Sequence, residues 1–381
     1  MRVTTIFVLF LCAAQASAND TVPVRKSNLL NPDITVFFDL GGSLSTNEEN
    51  KGHNRFHLRE VELNMSAAVV PIADAMMTFS VHEEIENPFG DDDETEIVTH
   101  FEIEEAFLNA HTLPFDLAIK GGKFRAAFGR NNVLHTHDLP QLLRPLAVVA
   151  FLGHEGLVLI GGEVSWLAPN PWDQYIEWTT AVANANGGEE SPLLRGARAK
   201  NPSVVSRIKW FGDIGESNSL EIGTSFVYVR STGSFSETLL GGSDVTWLWR
   251  DPSAPDTRSA IVQAEFFIAR ADSLRDAKSP LRRTTMGGFV LAQYQFHRNA
   301  YLGFRYDLTE LPNVSERRVN DQEWAASGLV TWYYSESLRF RLELQHLDQE
   351  VAGRRDSEQI AMLGLTFYIG SHPPHPYWVN R

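Results

Sequence analysis

The sequence predicts an all-β chain, a sixteen-stranded antiparallel transmembrane β-barrel with short turns at one end and long loops at the other. Three observations carry this. Apolar residues recur at every second position in one segment after another, the connections alternate between short and long, and aromatic residues gather near the short ones. The chain has 381 residues, of which 43% are hydrophobic, 21% charged and 11% aromatic, which excludes a disordered or collagen-like polymer. Lys and Arg number 33 against 48 Asp and Glu, a formal charge of -15. That sign is wrong for holding phosphate backbones, so no nucleic-acid partner is expected.

The first element is a leader. Arg2 precedes an apolar run from Val3 to Ala14, and Ala16-Ser17-Ala18 offers small residues for cleavage, so residues 1–18 read as a secretory signal peptide cut near Ala18. The run is shorter than the roughly 18 residues that a spanning helix needs. Leu9-Phe10-Leu11 before Cys12 lacks the small residues of a lipid-attachment site. Cys12 is the chain's single cysteine, so processing would remove disulfides, thiolate catalysis and thiolate metal sites together. Residues 19–32 then form a short N-terminal segment and 370–381 a C-terminal tail, both periplasmic, with the barrel over 33–369.

Strands are expected at 33–41, 55–69, 72–84, 97–111, 115–125, 156–167, 174–183, 203–211, 218–230, 242–249, 258–269, 284–296, 299–309, 322–334, 337–349 and 358–369. In the second, Val61, Leu63, Met65, Ala67 and Val69 alternate with Glu62, Asn64 and Ser66. Leu302, Phe304, Tyr306 and Leu308 alternate with Gly303, Arg305 and Asp307, and Leu338, Phe340, Leu342 and Leu344 with Arg339, Arg341, Glu343 and Gln345. A helix would not place a charge at every second position. Two segments break parity: Glu105 shares the face of Ile97, Phe101, Ile103 and Phe107, and the apolar face of the second strand switches near Arg59 and Glu60. A β-bulge would repair each, and without one Glu105 would face lipid.

The connections 42–54, 85–96, 126–155, 184–202, 231–241, 270–283, 310–321 and 350–357 are long. Those between them, from Pro71 to Ser335-Glu336, are short, with 250–257 intermediate. Short turns inside and long loops outside characterise outer-membrane barrels, and an even strand count leaves both termini on the short-turn side. Trp166, Trp172, Trp178, Trp210, Trp247, Trp249 and Trp332 lie within seven residues of a short turn, joined by Phe107, Phe115, Phe211, Tyr294, Phe296, Tyr301, Tyr333 and Tyr334. Such rings predict an interfacial girdle.

The stretches HLREVELNMSAAVVPIADAMMTFS (57–80), EIEEAFLNAHTLPFDLAIKGGKFRAAFGRNN (102–132) and IAMLGLTFYIG (360–370) make the chain resemble bacterial outer-membrane porins, within them the phosphate-selective type. The resemblance implies a water-filled channel in a Gram-negative outer membrane, commonly a homotrimer, with its third loop folded inward. Here that loop is the longest, and its apolar stretch from Leu139 to Leu152 suits a tucked position; a short external helix packed on other loops is the alternative. Porins usually end on an aromatic residue, whereas Phe367-Tyr368 is followed here by GSHPPHPYWVNR. Asp20-Thr21-Val22-Pro23-Val24 faintly matches an energy-coupling box, but leaves no room for a plug domain.

A sixteen-stranded barrel is too wide for side chains to fill, so inward charges are expected to be wet. Glu62, Gln263, Glu265, Arg305, Asp307, Arg339, Arg341, Glu343 and Gln345 have inward parity. With Arg125, Arg130 and Arg144 of the third loop as an electropositive constriction, they would select small hydrophilic or anionic solutes. A salt-bridge ladder on a solvated wall is the bland reading of the same residues. Asp91-Asp92-Asp93-Glu94 reads as a loop tip or as a cation site facing lipopolysaccharide. His135, His137, Asp138 and His154-Glu155 could ligate zinc or copper, although their spacing matches no closed motif. HExxH, GxSxG, GxxxxGK[ST] and dinucleotide fingerprints are missing, so no enzyme and no cofactor are expected. A barrel hydrolase and a soluble periplasmic β-sandwich remain as alternatives.

Overall fold

The computed structural model describes residues 31–86, 96–186, 193–194, 202–230, 235–273, 281–312, 321–351 and 353–370. The expected leader, Asp91-Asp92-Asp93-Glu94 and the tail beyond Gly370 lie outside them. Sixteen strands are present: β1 Asp33–Ser45, β2 Arg55–Val70, β3 Ala73–Glu86, β4 Glu96–Leu113, β5 Leu117–Arg125, β6 Val158–Leu167, β7 Tyr175–Asn186, β8 Ser203–Ile214, β9 Asn218–Val229, β10 Phe235–Arg250, β11 Ser259–Ser273, β12 Leu281–His297, β13 Ala300–Glu310, β14 Gln322–Ser335, β15 Leu338–Val351 and β16 Arg354–Gly370. Each pairs antiparallel with its sequence neighbours. β1 pairs with β16 from Thr35↔Gly370 to Ser45↔Ile360, closing the sheet. Closure leaves no unpaired edge, as hydrocarbon requires of a backbone. At the seam Phe38 stacks on Phe367 with ring centroids 4.6 Å apart.

Every expected strand is found, and several run further at their long-loop ends. β10 begins at Phe235, β12 at Leu281 and β16 at Arg354. Val351 pairs directly with Arg354, so the last connection, expected to be long, is a tight turn. Continued pairing satisfies N–H and C=O groups that an open loop would leave to water.

Alternation sorts the two faces. On β13 Leu302, Phe304, Tyr306 and Leu308 are 56%, 55%, 43% and 51% exposed, while Arg305 and Asp307 between them are fully buried. The wall is apolar outside and charged inside, the reverse of a soluble sandwich. Trp178, Trp332, Tyr294, Phe296 and Tyr334 project outward near the short turns, as a girdle requires. Tyr301 and Tyr333 depart from that expectation: both turn inward and meet edge to edge at 5.8 Å.

Both parity breaks are bulges. Asp39 pairs with Glu60 and Leu40 with Leu58, leaving Arg59 as the extra residue of β2. Thr78 pairs with Glu105 and Phe79 with Ile103, leaving Glu104 extra in β4. Each bulge aims two consecutive ionisable side chains inward, and Glu105 is buried inside the barrel instead of facing lipid.

The interior is not uniformly polar. The third long connection, 126–157, lies inside the barrel and carries a 3-10 turn at Thr136–Asp138 and one α-helix, α1 Leu146–Leu152, which packs against β11, β12, β13 and β14. Seven residues are too few for a helix to stand alone. Its buried Ala147, Val148, Phe151 and Leu152 join Phe124, Phe128, Phe267, Phe289 and Leu291 in one apolar cluster. The tucked arrangement is thus the observed one, and Leu139 to Leu152 finds its apolar partners on the inner wall, α1 in this cluster and Leu142 in a second one with Ile360 and Met362 of β16.

Candidate constriction site

The third loop is irregular, so most of its backbone groups lack secondary-structure partners, and inside a barrel each such group needs one. The wall supplies them with charged side chains. Arg59 Nη2 donates to Leu142 O at 2.8 Å, Arg305 Nη1 to Leu143 O at 2.6 Å, and Arg341 Nη1 to Leu139 O and Gln141 O at 2.9 and 3.1 Å. Arg339 Nη2 donates to His137 O. Carboxylates take the opposite groups. Glu343 accepts from Leu142 N and Leu143 N at 2.6 and 3.0 Å, Asp307 from Leu146 N at 3.1 Å, and Glu265 from Arg130 N and Asn131 N at 3.0 and 2.6 Å. Asn132 clamps the base of the loop, accepting from Leu157 N at 2.7 Å and donating to Ala126 O and Leu157 O.

Apolar side chains of the loop dock where the wall has glycine. A Cβ on Gly242 would lie 2.7 Å from Phe128 Cζ, one on Gly287 3.0 Å from Phe151 Cε2, and one on Gly364 would collide with Leu142. Phe151 and Phe128 both stack on Phe267, at 5.6 and 5.8 Å.

The wall residues expected from parity therefore do face inward. Arg305, Asp307, Arg339, Arg341 and Glu343 all contact the inserted loop, and Arg305 also pairs with Asp307 at 2.7 Å and Glu343 at 3.2 Å. The three arginines expected in the third loop differ from one another, and Arg125 is not in the loop at all: it ends β5, where it pairs with Val158. Arg125 Nη2 meets Glu104 at 2.6 Å, Arg130 Nη1 meets Glu221 at 2.9 Å, and Arg144 has no carboxylate within ion-pair distance among the described residues. Arg144 Nη2 donates to Thr136 Oγ1 at 3.2 Å, and its Nη1 has no hydrogen-bond partner. Burial, then Arg125 nearby, lowers the Arg144 pKa to about 10, which leaves it cationic at neutral pH. Arg339 resembles it, with Nε and Nη1 unpartnered and its guanidinium over the Tyr333 ring at 5.9 Å.

The loop histidines meet acids that sequence reasoning did not join to them. His135 Nδ1 lies 3.1 Å from both Glu62 Oε2 and Glu104 Oε2, and its Nε2 lies 2.9 Å from Glu105 Oε2. His137 Nδ1 is 3.3 Å from Glu60 Oε2 and 3.4 Å from Glu62 Oε2, with its ring stacked on Phe37 at 4.0 Å. Burial disfavours the imidazolium of each. For His135 the neighbouring Glu62, with hydrogen bonds donated to Glu104 and Glu105, outweighs burial and raises the pKa well above its usual value. For His137, Glu62, Asp138 and Glu60 push it up to about 9. Asp138 Oδ1 is 3.8 Å from His137 Nε2. His154 does not belong to the cluster: it is exposed and faces Glu155 at 3.7 Å. The signal that could have found Glu60, Glu104 and Glu105 is the pair of parity breaks, since each places consecutive ionisable residues where a regular strand would hide one and expose the other.

No family model matches the chain. It is 26% identical over 382 residues to an uncharacterized protein of Aquifex aeolicus, an alignment that covers 93% of this chain and 76% of that protein. Among solved structures it is similar to OprB of Pseudomonas putida, with a TM-score of 0.58 at 10% identity over 89% of this chain and 94% of the other. It is likewise similar to an anion-selective porin from Comamonas acidovorans, with a TM-score of 0.57 at 9% identity over 90% and 100%. The trimer form of OmpT, an outer membrane protein of Vibrio cholerae, gives 0.55 at 9% identity over 89% and 99%. At these identities the shared property is the fold, that of outer-membrane porins.

Proposed function

We propose that the chain is a non-enzymatic outer-membrane channel that passes small hydrophilic solutes by diffusion and favours anions, in a Gram-negative envelope reached through a leader cut near Ala18. One observation carries this: a closed wall, apolar outside and charged inside, surrounds a third loop that its own charged side chains hold within the lumen. Such a loop narrows the passage. The anion preference rests on Arg144 and Arg339, inward cations with no carboxylate at ion-pair distance among the described residues. Arg125 and Arg130, paired with Glu104 and Glu221, contribute little net charge. Phosphate is one anion that the sequence resemblance suggests, and a trimer is the assembly of one similar structure.

Purified protein inserted into planar bilayers tests the reading. Stepwise ohmic conductance is expected, with reversal potentials in unequal KCl and in potassium phosphate that mark anions as the more permeant ions. Absence of conductance from correctly inserted protein would sink the channel, and a cation-selective reversal potential would sink the anion preference alone.

A further inference from the structure

The bulges of β2 and β4 bring Glu60, Glu62, Glu104 and Glu105 to the two histidines of the inserted loop, and the donor set is that of a metal centre. Glu60, Glu62 and His137 place one potential ligand atom each within 4.8 Å of one another, and so do Glu62, Glu104 and His135, with all five side chains buried. Glu62 is common to both triads. Its Oε2 is buried and accepts no hydrogen bond, although the Nδ1 atoms of His135 and His137 stand 3.1 and 3.4 Å away. An atom in that state is aimed at something other than a proton donor.

The spacing fits a coordination sphere. Bonds of about 2.0–2.1 Å in a tetrahedron put neighbouring ligand atoms roughly 3.3–3.4 Å apart; the four histidine-nitrogen to carboxylate-oxygen separations run from 3.1 to 3.4 Å, and all the ligand atoms of each triad lie within 4.8 Å of one another. The outer contacts fit as well. His135 Nε2 points at Glu105 Oε2 at 2.9 Å, the carboxylate partner that orients a metal-bound imidazole, and Phe37 stacked on His137 fixes that ring. Imidazole nitrogen beside carboxylate selects first-row transition ions over calcium or magnesium, which prefer oxygen alone.

We propose that Glu60, Glu62, Glu104, His135 and His137 form a binding centre for a divalent transition ion of the zinc type, with Glu62 as the shared ligand, which ties the inserted loop to β2 and β4. The centre is independent of the transport reading, because an ion would lock the loop whether or not solutes pass it.

The test uses full-length protein without a histidine tag, stripped with chelator and dialysed against Zn2+ or Co2+ with metal quantified by mass spectrometry. One or two ions per chain are expected to bind in the folded wild type. Binding should weaken by about 100-fold or more in Glu62→Gln, by the loss of a shared ligand, and stay unchanged in His154→Ala, which lies at the exposed end of the loop. X-ray absorption of the zinc-loaded wild type, which does not depend on any variant folding, should show imidazole nitrogen and carboxylate oxygen together. No stoichiometric binding, equal binding in Glu62→Gln, or a first shell without imidazole would each overturn the centre, whatever the conductance measurements give.

Discussion

Among individual residues, Arg144 separates from its neighbours by what it lacks. Arg125 and Arg130 each close a buried ion pair, and neutralising either would leave Glu104 with only His135 at 3.1 Å or Glu221 with only Arg207 at 3.7 Å as an ion-pair partner among the described residues, a loss of up to about 3–5 kcal/mol. Replacing all three together would therefore mix a change of selectivity with a change of stability. Arg144→Glu alone leaves no carboxylate orphaned. Its reversal potential in unequal KCl should move toward cation preference, with the anion-to-cation permeability ratio falling several-fold and the unitary conductance changing far less. An unmoved reversal potential would remove Arg144 from the filter. The same scale explains why the histidines were legible as candidates and their partners were not. His135 and His137 are two residues apart in sequence, whereas Glu60 and Glu104 lie tens of residues away on strands whose parity had to break before they could point inward.

Among elements, the bulges and the wall glycines decide what the barrel contains. Because Arg59 is the unpaired residue of its bulge, deleting it should restore a regular β2 ladder. Asp39, which loses Arg59, keeps Arg341 at 2.8 Å and Thr366 at 2.8 Å. The deletion is expected to yield a barrel with normal heat-modifiable gel mobility. Deleting Leu63 from the regular ladder should not, because it reverses the faces of the residues beyond it. Equal assembly of the two would disprove the bulge assignment. The inserted loop makes a second element-scale prediction. Gly364 leaves the space that Leu142 fills, so Gly364→Val should push that segment of the loop off β16 and raise single-channel conductance, while the barrel stays folded. Conductance equal to wild type would mean that the loop does not limit flow.

For the whole molecule, the outward face must be matched to hydrocarbon. A charge introduced on it should cost more than one on the lumen side. Phe304→Arg, in the middle of β13 and 55% exposed, is expected to destabilise the inserted barrel by about 2–4 kcal/mol if that level is the bilayer centre, measured by denaturant unfolding in lipid vesicles. A negligible loss would argue against lipid contact at that strand. Strand count, order and faces were legible in the sequence because a period of two is a local property: Leu302 to Leu308 and Arg339 to Gln345 declare their sides without reference to any distant residue. Strand ends near the long loops were less legible, since pairing such as Val351 with Arg354 depends on the partner strand. The amino-acid sequence by itself thus determined a two-faced wall and an apolar third loop that had to leave water. Only the tertiary structure decided that Arg59, Arg305, Arg339 and Arg341 would spend their charge on the loop backbone and that Arg144 would stay without an acid. It likewise gathered Glu60, Glu62 and Glu104 around two histidines, because contacts between residues far apart in the chain are fixed by barrel closure and register, which no local pattern encodes.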